Sequence, residues 1–329
     1  MMAPMTRLRL HLWRLFISHA HRLAGCLAVG LVSTALGQHD RPAAGLPPVP
    51  VSGLAYTNAF FPGATYRADV PAQESLIGFA AGERASTAAE IERCLKAWNA
   101  AAPDRTRLVE YARSHENRPL HYLLVTAPAN LARLDQIQSS LARLGDPRSL
   151  SEADARGLID TLPAVAWLAH TIHGDETEGS DAALALAYHL VAAEDSTTAQ
   201  LLANLVIIID PLMNPDGRDR FVKMIAEHRG ALPNLDDQSL VHEGYWPYGR
   251  GNHYLFDLNR DWALGVHPET RGRIREISRW NPQLFVDAHG MGSQATHLFS
   301  PPREPVNPNI PPGRAEWGLL FAREQARAM

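Results

Sequence analysis

Short apolar runs recur along this chain, and the stretches between them carry helical spacing. Leu205–Ile209 is the clearest strand signal: five apolar residues, four of them β-branched. Ala164–Ala169 and Leu284–Asp287 read as two further buried strands. Earlier in the chain, Leu108–Ser114 and Leu120–Thr126 form a strand pair around the polar turn His115–Pro119. Thr87-x-x-Glu90 is a capping box that opens a helix running to about Ala101. Helices are also predicted over Asn130–Leu144, over Ala153–Leu162 behind Ser151-x-x-Asp154, over Ser180–Ala193 and from Pro268 to about Trp280. Strands of this kind alternating with helices predict an α/β fold whose sheet is covered on both faces. The early strand pair makes that sheet mixed, part parallel and part antiparallel.

The first 37 residues follow a different pattern. Arg7, Arg9, Arg14 and Arg22 give an acid-free positive start, and Leu23–Leu36 is apolar apart from Ser33 and Thr34. With small residues at Ala35 and Gly37, residues 1–37 read as a secretory signal peptide, which predicts a secreted or periplasmic protein. Lipid attachment at Cys26 is the weaker reading, because His19, His21 and Arg22 interrupt the apolar core such a signal needs. The run is also too short to span a membrane, which takes roughly 20 apolar residues. Residues 38–69 are rich in proline and glycine and read as an extended leader; residues 70–329 carry the domain. A net charge of -4 without charged blocks gives no pull toward nucleic acid. Cys94 is alone after the signal, so no internal disulfide is expected, and its helical setting marks it as a small buried apolar residue.

Polar residues follow each buried strand. His170-Thr-Ile-His173-Gly-Asp-Glu176 comes after the first, Asp210-Pro-Leu-Met-Asn214-Pro-Asp-Gly217 after the second, and Asp287-Ala-His289-Gly290 after the third. In sheets of this class, sites gather at the carboxyl ends of strands. An imidazole and a carboxylate three residues apart can reach one cation, and zinc accepts such nitrogen and oxygen ligands. His289, next to a distant strand, is a third ligand candidate, and three protein ligands leave one position open for water. The helix-borne HExxH pattern is absent. Asn259-Arg260, in Asp257-Leu-Asn-Arg260, suits capture of a carboxylate, since a guanidinium binds one in bidentate fashion. Arg250 can point a second guanidinium at a developing oxyanion, with Arg218, Arg220 and Arg229 as competitors for that role. Asn214-Pro-Asp-Gly217 reads first as turn chemistry.

The elements His173-x-x-Glu176, Asn214-Pro-Asp-Gly217, Asp257-Leu-Asn-Arg260 and strand-end His289 occur in the order of the zinc carboxypeptidase family, which the chain resembles over about residues 70 to 300, with Ser114 and Arg118-Pro119 near the start. The resemblance implies a carboxypeptidase-like fold and one Zn2+ ion held by His173, Glu176 and His289. It implies Asn259 and Arg260 as the clamp for the free C-terminal carboxylate of a peptide or protein substrate. It assigns oxyanion stabilisation to Arg250, and to Asp257 the orientation of the first ligand histidine.

The family's general-base glutamate lies well beyond the third ligand, in a context that Glu304, Glu316 and Glu324 do not share. The domain therefore reads as incomplete at its C-terminus, with the final residues inside a helix. Two alternatives stand beside a zinc carboxypeptidase: a deacylase of N-acyl amino acids on the same fold, and a non-catalytic zinc- or peptide-binding module.

Overall fold

The computed structural model describes residues 60–146, 148, 150–228, 230, 236, 238–239, 249–291, 306–311 and 313–328. The signal-peptide reading, Cys26, Arg229 and Glu304 lie outside the described residues. Among those described, the order is α1 (Gln73–Ile77), α2 (Ala88–Ala101), β1 (Thr106–Arg113), β2 (Pro119–Val125), α3 (Pro128–Leu131), α4 (Leu134–Gly145), α5 (Glu152–Thr161), β3 (Ala164–His170), α6 (Thr177–Ala192), α7 (Ser196–Asn204), β4 (Leu205–Asp210), α8 (Pro215–His228), a 3-10 turn (Leu258–Arg260), α9 (Pro268–Trp280), β5 (Leu284–Ala288) and α10 (Gly313–Ala328).

The five strands form one sheet in the order β1-β2-β4-β3-β5. β1 and β2 pair antiparallel, β2 meets β4 antiparallel, and β4, β3 and β5 run parallel. The mixed sheet expected from the sequence is thus observed.

Side-chain alternation along the strands divides the core in two. Leu123, Val125, Ala166, Leu168, Leu205, Ile207 and Ile209 face one side, against Ile91, Leu95 and Trp98 of α2 and Leu184 and Leu190 of α6. Tyr122, Leu124, Val165, Trp167, Val206 and Ile208 face the other, against Leu134, Ile137 and Leu141 of α4 and Trp280 of α9. This is the period-two geometry of a strand buried on both faces.

Local signals act where they were read. Thr87 Oγ1 accepts from the Glu90 amide while Glu90 Oε2 accepts from the Thr87 amide, completing the capping box. Ser151 caps α5 by accepting from the Asp154 amide. Cys94 is fully buried, and burial pushes its thiol up to about 12.

The helix expected over Asn130–Leu144 is instead two, with Ala132 and Arg133 between α3 and α4. α7 and α8 were not read from the sequence. Proline at the start of α8 is compatible with the first helical turn, whose amides lack intrahelical acceptors, so Asn214-Pro-Asp-Gly217 opens a helix rather than closing a turn. Phe61, at the described end of the Pro/Gly-rich segment, is buried and stacked on His189 with ring centroids 3.7 Å apart.

Candidate metal centre

The parallel strands β3 and β5 are in register up to the pair His170 and Ala288, so their carboxyl ends deliver the following loops to one place. Directly after β3, Thr171 takes a left-handed backbone, φ 56°, an unfavourable conformation for a β-branched residue. Its Oγ1 meets Ser180 Oγ at 2.9 Å and donates to the Glu176 carbonyl at 3.3 Å, which holds the loop folded back on the start of α6.

His173 is 2% exposed on this loop. Its Nδ1 lies 2.7 Å from Glu176 Oε1 and 3.3 Å from His289 Nδ1. His289 Nδ1 in turn lies 3.2 Å from Glu176 Oε2. The three residues offer ligand atoms all within 4.8 Å of one another. The far ring nitrogens face carboxylates: His173 Nε2 is 3.0 Å from Asp257 Oδ1, and His289 Nε2 is 3.3 Å from Asp287 Oδ2.

This arrangement fits a cation. Each imidazole can give its Nε2 proton to a carboxylate, which leaves two Nδ1 lone pairs and a carboxylate directed at one point. Glu176 Oε2 is buried beside His289 Nδ1. Two nitrogens and a carboxylate are donors that zinc takes, and imidazoles backed by carboxylates are the usual surroundings of such ions.

The electrostatics follow from the same contacts. Burial raises the Glu176 carboxyl, but hydrogen bonds with His173 and His289 outweigh it and hold the group at about 2. Hydrogen bonds with Asp287 and Glu176 raise His289 to about 10 against the opposing effect of burial. Asp257 is lowered: burial opposes the shift, and the Asn259 amide and His173 prevail.

Asp257 also ties the cluster to the other expected residues. Its Oδ1 accepts from the Asn259 amide at 2.9 Å, capping the 3-10 turn that carries Asn259 and Arg260. Arg250 Nη2 donates to Asp257 Oδ2 at 3.2 Å, and Nη1 lies 3.8 Å from Glu176 Oε1. The Arg250 side chain remains 46% exposed, so its guanidinium borders both the cluster and solvent. Arg260 is exposed, and its Nη1 donates to the Asn259 carbonyl.

Two of the competing arginines, Arg218 and Arg220, serve elsewhere. Arg218 is fully buried, on Asp181 Oδ2 at 2.7 Å and the Ser86 carbonyl at 2.8 Å. Arg220 donates to the Gly251 and Asn252 carbonyls.

Buried Asn214 joins these segments: its Nδ2 donates to the Ile172 carbonyl at 3.2 Å and the Arg250 carbonyl at 3.0 Å, while Oδ1 accepts from the Gly217 amide. Asp216, also buried, accepts from Ser114 Oγ at 2.6 Å and from Arg118 at 2.9 Å, which explains why these residues accompany the motif. A Cβ at Gly174 would collide with the backbone of Gly217 and Arg218, and one at Gly217 with the carbonyls of Gly249 and Gly251. Backbone packs on backbone here.

The sequence assigns no role to Asp287 or Glu178. Asp287-x-His289 is a short-range signal that could have been seen. Glu178, whose carboxyl is raised by burial and which borders Gly290, sits only two residues from Glu176.

A mixed α/β sheet with a His-Glu-His cluster at its strand ends defines an α/β protein with a candidate metal centre. The zinc carboxypeptidase family profile matches residues 91–309, and the chain belongs to that family. It is similar to carboxypeptidase D of Anas platyrhynchos, 30% identical over 139 residues that cover 41% of this chain and 9% of that protein. It is also similar to the catalytic chain of carboxypeptidase N of Homo sapiens, 27% identical over 168 residues that cover 46% of this chain and 36% of the relative. The chain thus spans well under two thirds of these relatives. Among solved structures, carboxypeptidase A from Helicoverpa armigera aligns at a TM-score of 0.42 and 17% identity, covering 67% of this chain and 52% of that one. A metallo-carboxypeptidase from Burkholderia cenocepacia aligns at 0.37 and 19%, covering 63% and 43%. Among the described residues, no helix is long and apolar enough to cross a membrane.

Proposed function

We propose that this chain forms the zinc-binding portion of an exported metallocarboxypeptidase that hydrolyses the C-terminal bond of peptides or proteins. The observation that carries the reading is the convergence of His173 Nδ1, His289 Nδ1 and Glu176 on one point, with Asp257 and Asp287 behind the two rings. His173, Glu176 and His289 would hold the ion. When bound, zinc supplies a Lewis acid for the scissile carbonyl and lowers the pKa of water.

The other named residues position the substrate. Exposed Arg260, with Asn259 on the same turn, captures the terminal carboxylate and fixes the peptide relative to the cluster. Arg250 lies between Glu176 and Asp257 with its guanidinium part-exposed, and it stabilises negative charge growing on the carbonyl oxygen. Asp257 holds both His173 and Arg250, so ligand and oxyanion donor share one support. The positively charged N-terminus and the apolar run after it support export of the mature chain.

The test is binding of a short peptide to the zinc-loaded chain, with its C-terminus free or amidated. Preference for the free acid, lost in Arg260→Ala, is expected. Equal binding of both peptides contradicts the carboxylate clamp.

A further inference from the structure

The β1–β2 turn and the start of α9 bring together a second group of ligand atoms, outside the cluster described above. His115 Nε2 lies 3.0 Å from His267 Nδ1 and 3.9 Å from Glu269 Oε2. All three residues offer atoms within 4.8 Å of one another.

Glu269 is the telling member. Its side chain is 0% exposed, and neither carboxylate oxygen has a hydrogen-bond partner among the described residues. The 3.9 Å gap to His115 is too long for a hydrogen bond. Burying a carboxylate without donors is costly, and such a group calls for a cation.

The surrounding chain sets the two imidazoles. Buried Asp261 accepts from the Val266 and His267 amides at 3.0 and 2.9 Å, fixing the approach to α9. Pro268 then starts the helix, with His267 as its N-cap and Glu269 in its first turn. Asn252 Oδ1 accepts from the Tyr254 and Phe256 amides, which turns its Nδ2 to within 3.1 Å of His267 Nδ1 and marks that nitrogen as the one bearing a lone pair. His115 is part-exposed on the turn, edge-on to the Tyr254 ring at 4.8 Å, so the group is reached from solvent.

We propose that His115, His267 and Glu269 form a second divalent-cation site, of the zinc class, that fastens the β1–β2 turn to the segment 249–269 carrying Arg250, Asp257, Asn259 and Arg260. Two imidazoles and one carboxylate select zinc over magnesium or calcium, which prefer all-oxygen sites. The ion would neutralise the buried carboxylate and draw the His267 lone pair away from Asn252, whose two backbone acceptor contacts remain.

Zinc content of the purified full chain after equilibrium dialysis tests this. His173→Ala, which disables the first cluster, should still retain one equivalent, and adding His115→Ala should reduce that to none. In the unaltered chain, His115→Ala alone should lower the zinc content by one equivalent, as should the near-isosteric Glu269→Gln. Circular dichroism checks that the variants fold, and substitution of His115 on its part-exposed turn leaves the core intact. No zinc on His173→Ala, or zinc on it that survives His115→Ala, overturns the second site. Neither result depends on whether the first cluster binds metal.

Discussion

His173 Nδ1 and His289 Nδ1 lie 3.3 Å apart although 116 residues separate them in sequence. The parallel register of β3 and β5 creates that approach, and Asp257 and Asp287 orient the rings from behind. Removing either carboxylate while keeping its shape should loosen the metal without removing a ligand. Asp257→Asn and Asp287→Asn are each expected to weaken zinc binding by about 10–100-fold, measured by competition with a chromophoric chelator. The Asp287 variant is the sharper case, because its role came from the structure alone.

The metal-free protein should show a pH dependence centred on His289. Its pKa is raised from 6.5 to about 10 by Asp287 and Glu176, so the folded state holds this proton more tightly than the unfolded chain. That contribution is full below about pH 6.5 and is lost as pH rises through about 10. The melting temperature of the metal-free chain should fall across that window, and less steeply in Asp287→Asn. Zinc must displace the same proton, so its apparent affinity should rise by up to about tenfold per pH unit there. Calorimetry in buffers of different ionisation enthalpy should register the released proton.

Much of this arrangement is legible in the sequence. Strong signals were local: the β-branched run at Leu205–Ile209, the Thr87–Glu90 box, and His173 and Glu176 on one loop. What could not be read depends on tertiary contacts. α8 was hidden because Asn214-Pro-Asp-Gly217 has turn residues, which equally suit a helix start with Asn214 accepting from the Gly217 amide and Pro215 in the first turn. The choice among arginines was equally illegible, since it rests on Arg218 being enclosed by Asp181 and Ser86 while Arg250 stays part-exposed. His115 and His267 meet only because the β1–β2 turn packs beside α9.

The Asp181–Arg218 pair should matter for folding rather than chemistry. Arg218 is fully buried and Asp181 nearly so. Asp181→Ala leaves an uncompensated guanidinium in the core, which should cost about 3–5 kcal/mol, read as a shift in the urea midpoint with an unchanged slope.

Gly174→Ala and Gly217→Ala should each separate the three backbone segments that meet between the ligand loop, α8 and residues 249–251. The added carbon has no room against main-chain atoms that cannot rotate away. Both variants are expected to lose zinc and to melt earlier than the unaltered chain; retention of full zinc affinity would show that the contact is not needed to place His173.

The most direct test of the proposed catalytic centre is anomalous diffraction at the zinc edge from crystals of the zinc-loaded chain. The expected result is a peak bounded by His173 Nδ1, His289 Nδ1 and the Glu176 carboxylate, with Asp257 and Asp287 on the opposite sides of the two rings. Absence of a peak there, with either imidazole turned away from Glu176, would contradict it.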